Sequence, residues 1–154
     1  MSFYTLTLEP DDNDTLLVRS PMLPGMATFG EDRALALKWA LQAVLQRLAA
    51  YMADDEDIPA PLKFIPPGAE VVELPPIVAL KVALQRAMKD RGVTRAELAR
   101  RLGQHREQVD RLFRISHRSR LDQLTAALAA LDYVFEPVAV RAEERDAVLR
   151  PAAA

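Results

Sequence analysis

Two groups of side chains in this 154-residue chain have types and spacings that could do chemistry. The first is acidic: Asp11, Asp12 and Asp14 lie within one short stretch, and Asp54-Asp55-Glu56-Asp57 is an unbroken run. Carboxylates so close together can hold a divalent cation or work as general acid and base, but both roles need convergent partners and a dry pocket. Asp and Asn are also what hairpin turns use to bond local backbone, and we prefer that reading for Asp11 to Asp14. The second group is basic and helical in spacing. Arg106 and Arg111, interleaved with Glu107 and Asp110, could reach guanine edges in the major groove from an exposed helix face. Thr94 and Arg95, at the start of the preceding helix, suit a DNA phosphate, because backbone amides and a basic side chain converge there. Glu107 and Asp110 are repelled by phosphate unless they accept from cytosine or position an arginine.

Absences narrow the chemistry further. There is no cysteine, hence no disulfide, thiolate metal site or cysteine nucleophile, and His105 and His117 are too few for an all-imidazole site. We expect no metal, no cofactor and no catalytic set. The apolar-rich stretch from Ala34 to Met52 is broken by Lys38, Gln42, Gln46 and Arg47, which makes it an amphipathic helix rather than a bilayer span. With no export signal at Met1-Ser2-Phe3-Tyr4, the expected location is a reducing cytoplasm.

The net charge of −2 conceals an asymmetry. Residues 1 to 76 carry 5 basic and 12 acidic side chains, residues 77 to 154 carry 15 and 10, and within 81 to 120 there are 12 against 4. A positive field of that density favours a polyanion. Six of the eleven prolines fall between Pro59 and Pro76, so residues 54–69 read as a linker or an ordered crossover between domains at 1–75 and 76–140.

The elements that must carry these groups follow from periodicity. Residues 3–9 and 15–19 alternate around the acidic turn and predict a hairpin; a third strand is expected over 26–29 and a fourth at 71–74. Between them a helix capped by Asp32 buries Leu37, Leu41, Val44, Leu45, Leu48 and Met52. In the second half, a helix from Ile77 to about Arg91 is ended by Gly92. Thr94 and Glu97 predict a capping box, Gly103 stops the next helix, and a third begins near Arg106. Leu121, Leu124, Leu128 and Leu131 give a fourth. A tight glycine turn between short helices is a helix-turn-helix layout. The fold class is therefore α+β: a small sheet with one helix, then an all-α helix-turn-helix domain. Residues 133–140 are strand-like and would have no partner in a helical domain, which invites pairing with a second copy. Residues 141–154 are a tail, with Pro151 to Ala154 frayed.

Two stretches resemble a known family. Leu8-Glu9-Pro10-Asp11-Asp12, Leu23-Pro24-Gly25 and Thr28-Phe29-Gly30-Glu31-Asp32-Arg33-Ala34-Leu35-Ala36-Leu37 resemble the N-terminal domain of HicB-type antitoxins. Residues 94–103, with Gln108-Val109-Asp110-Arg111-Leu112 and Leu121-Asp122-Gln123-Leu124, resemble the repressor-type helix-turn-helix of one HicB subgroup. The resemblance implies a partial RNase H-like first domain without catalytic activity. It also implies neutralisation of a HicA-like mRNA-cleaving ribonuclease toxin, and autorepression through operator DNA. Arg106, Glu107 and Arg111 would then read bases, and Thr94, Arg95 and His105 would contact phosphate. His105 stands where Ser or Thr is usual at the helix start, and Met26 where Cys is frequent. A homodimer reading two half-sites is expected, with no membrane partner. The alternative is a two-domain transcriptional regulator whose first module senses a small ligand.

Overall fold

The computed structural model of the chain describes residues 1–150; the alanine-rich tail expected at Pro151 to Ala154 lies outside the described residues. Its elements run β1 (Phe3–Pro10), β2 (Leu16–Arg19), β3 (Ala27–Gly30), α1 (Arg33–Ala53), β4 (Glu70–Glu73), α2 (Pro76–Arg91), α3 (Arg95–Leu102), α4 (Arg106–Leu112), α5 (Leu121–Ala129), a 3-10 turn (Ala142–Glu144) and α6 (Arg145–Leu149). The expected α+β architecture stands, with strand ends shifted by about one residue.

The strands form one antiparallel sheet in the order β3-β2-β1-β4. The acidic stretch is the β1–β2 turn: Asp12 N–H donates to Asp11 Oδ1 at 2.7 Å, Asp11 N–H to Thr15 O at 2.7 Å, and Asp14 takes a positive φ of 57°. The Asp11 carboxylate thus bonds the backbone of the turn and Asp14 supplies its left-handed residue, and among the described residues no group of three or more His, Cys, Asp or Glu is placed to hold a metal ion. Alternation sends Phe3 to one sheet face, where Ile65 and Leu149 bury it. Tyr4, Leu6, Val18 and Val72 are buried on the other face, and Ala36, Ala40, Val44 and Leu48 form the fully buried stripe of α1. Val44, Leu48 and Met52 are buried as expected, while Leu37, Leu41 and Leu45, expected in the same stripe, flank it half-buried. The small alanines take the centre because the helix comes close to the strands there. A Cβ built on Gly30 would meet the backbone N of Ala36 at 2.4 Å and its Cα at 2.6 Å. Only glycine fits at that crossing.

Two expectations are corrected by the C-terminal segment. Residues 134–140 form neither helix nor strand, so the strand expected over 133–140 is absent. Strand composition alone is not enough where no neighbour offers a ladder. The supposed tail is also structured: Leu149 O accepts from Ile65 N–H at 2.7 Å, and Arg145 bonds Glu73.

The chain divides into two compact units that do not follow a single boundary near residue 75. The sheet unit comprises Met1–Arg47, Pro59–Leu74 and the segment from Ala139 on; the helical unit comprises Leu48–Ile58 and Pro75–Val138. In the proline-rich stretch, Tyr4 Oη donates to Pro59 O at 2.8 Å and Leu62 exchanges backbone hydrogen bonds with Phe3, so residues 59–65 are an ordered crossover. The acidic run belongs to the helical unit, where Asp55 pairs with Lys89 at 3.1 Å. The sheet unit thus holds eleven acidic and eight basic residues, a net of −3, and the −7 of the first half does not describe it.

The helical unit has one apolar core. Leu84 and Met88 of α2, Leu98 of α3, Val109 of α4, and Leu124, Leu128 and Leu131 from α5 and its end are its centre. Gly92 and Gly103 end α2 and α3 at φ near 60°, the left-handed cap expected of each.

Candidate nucleic-acid interface

Thr94 caps α3, its Oγ1 accepting from Glu97 N–H at 3.1 Å. The reciprocal half of the expected capping box is missing, because the Glu97 carboxylate turns along the helix. It takes two bonds from Arg100, at 2.8 and 2.6 Å, and one from Arg101 at 3.1 Å. Those guanidiniums hold its carboxyl down at a pKa of about 2, so Glu97 stays ionised and offsets one of the two arginine charges. Gly103 then turns the chain into α4, where Gln108 Oε1 accepts from His105 N–H at 3.1 Å. Thr94 and His105 are exposed at the starts of consecutive helices.

On α4, Val109 and Leu112 point into the core, while Arg106, Glu107 and Arg111 are exposed. Asp110 is the acid that positions an arginine: its Oδ2 lies 3.8 Å from Arg106 Nε, and its Oδ1 3.7 Å from Arg95 Nη1. Arg95 departs from expectation. Its guanidinium stacks over Phe113 at 4.6 Å, bonds Met52 O, and is 19% exposed. Cation–π and carbonyl contacts of this kind fasten α3 to α4 and to the end of α1, so most of the Arg95 guanidinium is engaged within the helical unit. An aromatic partner eighteen residues away in sequence gave no local signal.

Sequence reasoning also missed the loop after α4. Lys81, fully buried on α2, donates through Nζ to Arg114 O and, at 2.7 Å, to His117 O. Its clip holds a loop whose Arg114 and Arg118 are exposed, next to the reading helix. The signal was present: Ile77, Lys81, Leu84 and Met88 share a 3.6-residue stripe in which lysine is the odd member. Burial lowers the Lys81 ammonium from 10.5 to about 8. The unfolded chain keeps this proton up to about 10.5 while the folded chain releases it near 8, so in that window stability rises with pH. Lys81→Met should flatten the rise, read as urea midpoints at pH 7.5 and 9.5; parallel curves for the two proteins would count against a buried ammonium.

Two short helices joined at a left-handed glycine, the second exposing Arg106 and Arg111 over a shared core, define a helix-turn-helix DNA-binding protein, and residues 83–133 match the Cro/C1-type HTH DNA-binding domain. Similarity extends well beyond that domain. The chain is 34% identical over 130 residues to Antitoxin HicB 1 of Photorhabdus laumondii, covering 84% of this chain and 82% of that protein. It is 34% identical over 128 residues to Antitoxin HicB of Escherichia coli K12, covering 83% and 92%. Antitoxin HicB of Pseudomonas fluorescens is 37% identical over 109 residues, covering 71% and 75%. The chain belongs to the HicB antitoxin family. No helix among the described residues is long and apolar enough to cross a membrane.

Proposed function

We propose that this antitoxin binds and neutralises a HicA-like mRNA-cleaving ribonuclease toxin through its sheet unit and represses its own operon through its helical unit. The observation that carries the reading is coverage: similarity to HicB antitoxins spans more than four-fifths of the chain, not the DNA-binding domain alone. In this reading Arg106, Glu107 and Arg111 face base edges, with Thr94 and His105 beside the backbone. Arg95 holds the reading helix in place instead of touching phosphate. The working form is a homodimer, because one short reading helix covers one half-site. Exposed Val134 and Val138 offer a second copy an apolar strip. The protein acts in the cytoplasm and without catalysis of its own.

Co-expression with a HicA-like toxin tests this. A stable complex and restored growth under toxin induction are expected, and light scattering on the complex should give a mass containing two antitoxin chains. No complex and no rescue would leave a two-domain regulator whose sheet unit binds a small ligand.

A further inference from the structure

The sheet unit carries an aromatic cleft that neither its core nor the DNA-binding surface uses. Phe29 is 64% exposed on β3 and Trp39 is 46% exposed on α1, and both line one depression with Thr15, Gly30, Glu31 and Leu35. Large exposed aromatics held side by side are uncommon on a lone domain and mark contact sites. The cleft is built by the crossing at Gly30. Without a Cβ at that residue, the first turn of α1 approaches β3 and sets Leu35 and Trp39 beside Phe29.

Strand register says what surrounds it. Leu16, which opens β2, pairs with Gly30, so the β1–β2 turn and the residues after β3 share one end of the sheet. That end gathers Asp11, Asp12, Asp14, Glu31 and Asp32, all exposed. Two cations of α1 are engaged: Arg33 bonds Glu70, and Lys38 Nζ lies 5.5 Å from the centroid of the Trp39 ring. Five of the unit's eleven acidic residues lie at this end of the sheet, and one of them, Glu31, lines the cleft.

We propose that the Phe29–Leu35–Trp39 cleft, at the carboxylate-rich end of the sheet, is where the antitoxin seats a basic side chain and its apolar surround from a cationic protein partner. The inference rests on the toxin-binding reading and gives that reading a place. An aromatic face stacks a guanidinium or ammonium while neighbouring carboxylates accept from it, a pairing that binds basic proteins and repels nucleic acid.

The test uses the full chain and, as partner, a small basic ribonuclease toxin of the HicA type. Trp39→Ala and Phe29→Ser alter exposed side chains, and operator affinity should be unchanged in both, which reports a folded protein. Affinity for the partner should fall about 30-fold or more with Trp39→Ala, the range of a central aromatic anchor. Glu31→Lys should also weaken binding and flatten its salt dependence. If the unaltered chain binds and all three variants bind within twofold of it, the cleft is not the site, although the toxin reading survives. If the unaltered chain fails to bind, the reading beneath the inference falls. Loss with Trp39→Ala but not with Glu31→Lys would overturn the cationic occupant. Reduced self-association at unchanged partner affinity would assign the cleft to a second copy instead.

Discussion

Replacing Arg111 by alanine should weaken operator binding by about 1 to 3 kcal/mol and relax preference at one base pair, with Arg106→Ala producing a loss of the same order at a neighbouring pair. Both side chains are exposed on α4, and their backbone is fixed from behind by Val109 and Leu112 in the core. They differ in preorganisation. Arg106 is held towards Asp110, so its fork is partly oriented before DNA arrives, whereas no such ion pair restrains Arg111 among the described residues. Partner binding should be unaffected by either. Fluorescence anisotropy on operator and on random duplex of equal length separates the cases: a loss confined to operator identifies base reading, and an equal loss on both assigns the arginine to phosphate.

The second large effect is expected at Gly30. Gly30→Ala places a methyl carbon against the Ala36 backbone, at separations that real Cβ atoms do not adopt. Since the obstacle is backbone and not the tip of a flexible side chain, β3 or the first turn of α1 must move. The cost is about 1 to 3 kcal/mol, the usual penalty of overpacking. Because α1 carries both the buried stripe and Trp39, the same change should reduce partner affinity while leaving operator affinity intact. Thermal unfolding followed by circular dichroism, together with both binding assays, checks it. An unshifted midpoint would mean that the crossing relaxes freely and that Gly30 is not what seats the helix.

How much of this could be read from the residues depends on whether the cause was local. The hairpin around Asp11 to Asp14, the glycine stops at Gly92 and Gly103 and the apolar spacings of α2 to α5 are each set within a few residues. Those elements appeared where expected. The internal contacts of Arg95 and those of the buried Lys81 were not legible. Their actual partners, Phe113 and the carbonyls of Arg114 and His117, come from distant segments. The centre of α1 was misplaced for another reason: large residues were given more weight than alanines, although close packing selects small ones. Residues 134–140 have the composition of a strand and no ladder to join. Leu149 reads as a tail residue until Phe3 and Ile65 are brought to it. Of the site, the exposed face of α4 was legible. The aromatic cleft was not, because a strand residue and a helix residue meet only through the crossing at Gly30.

The alternation of the two units along the chain bears on synthesis. Segments of the sheet unit are interleaved with those of the helical unit, and the last of them, carrying Leu149, follows the helix-turn-helix. On the ribosome, β1 to β3 emerge first, yet Phe3 receives its final cover only after the DNA-binding domain has been translated. A nascent antitoxin therefore cannot complete its first unit before its second has been made, and a chain terminated just after Val138 keeps every segment of the helical unit while lacking the last segment of the sheet unit.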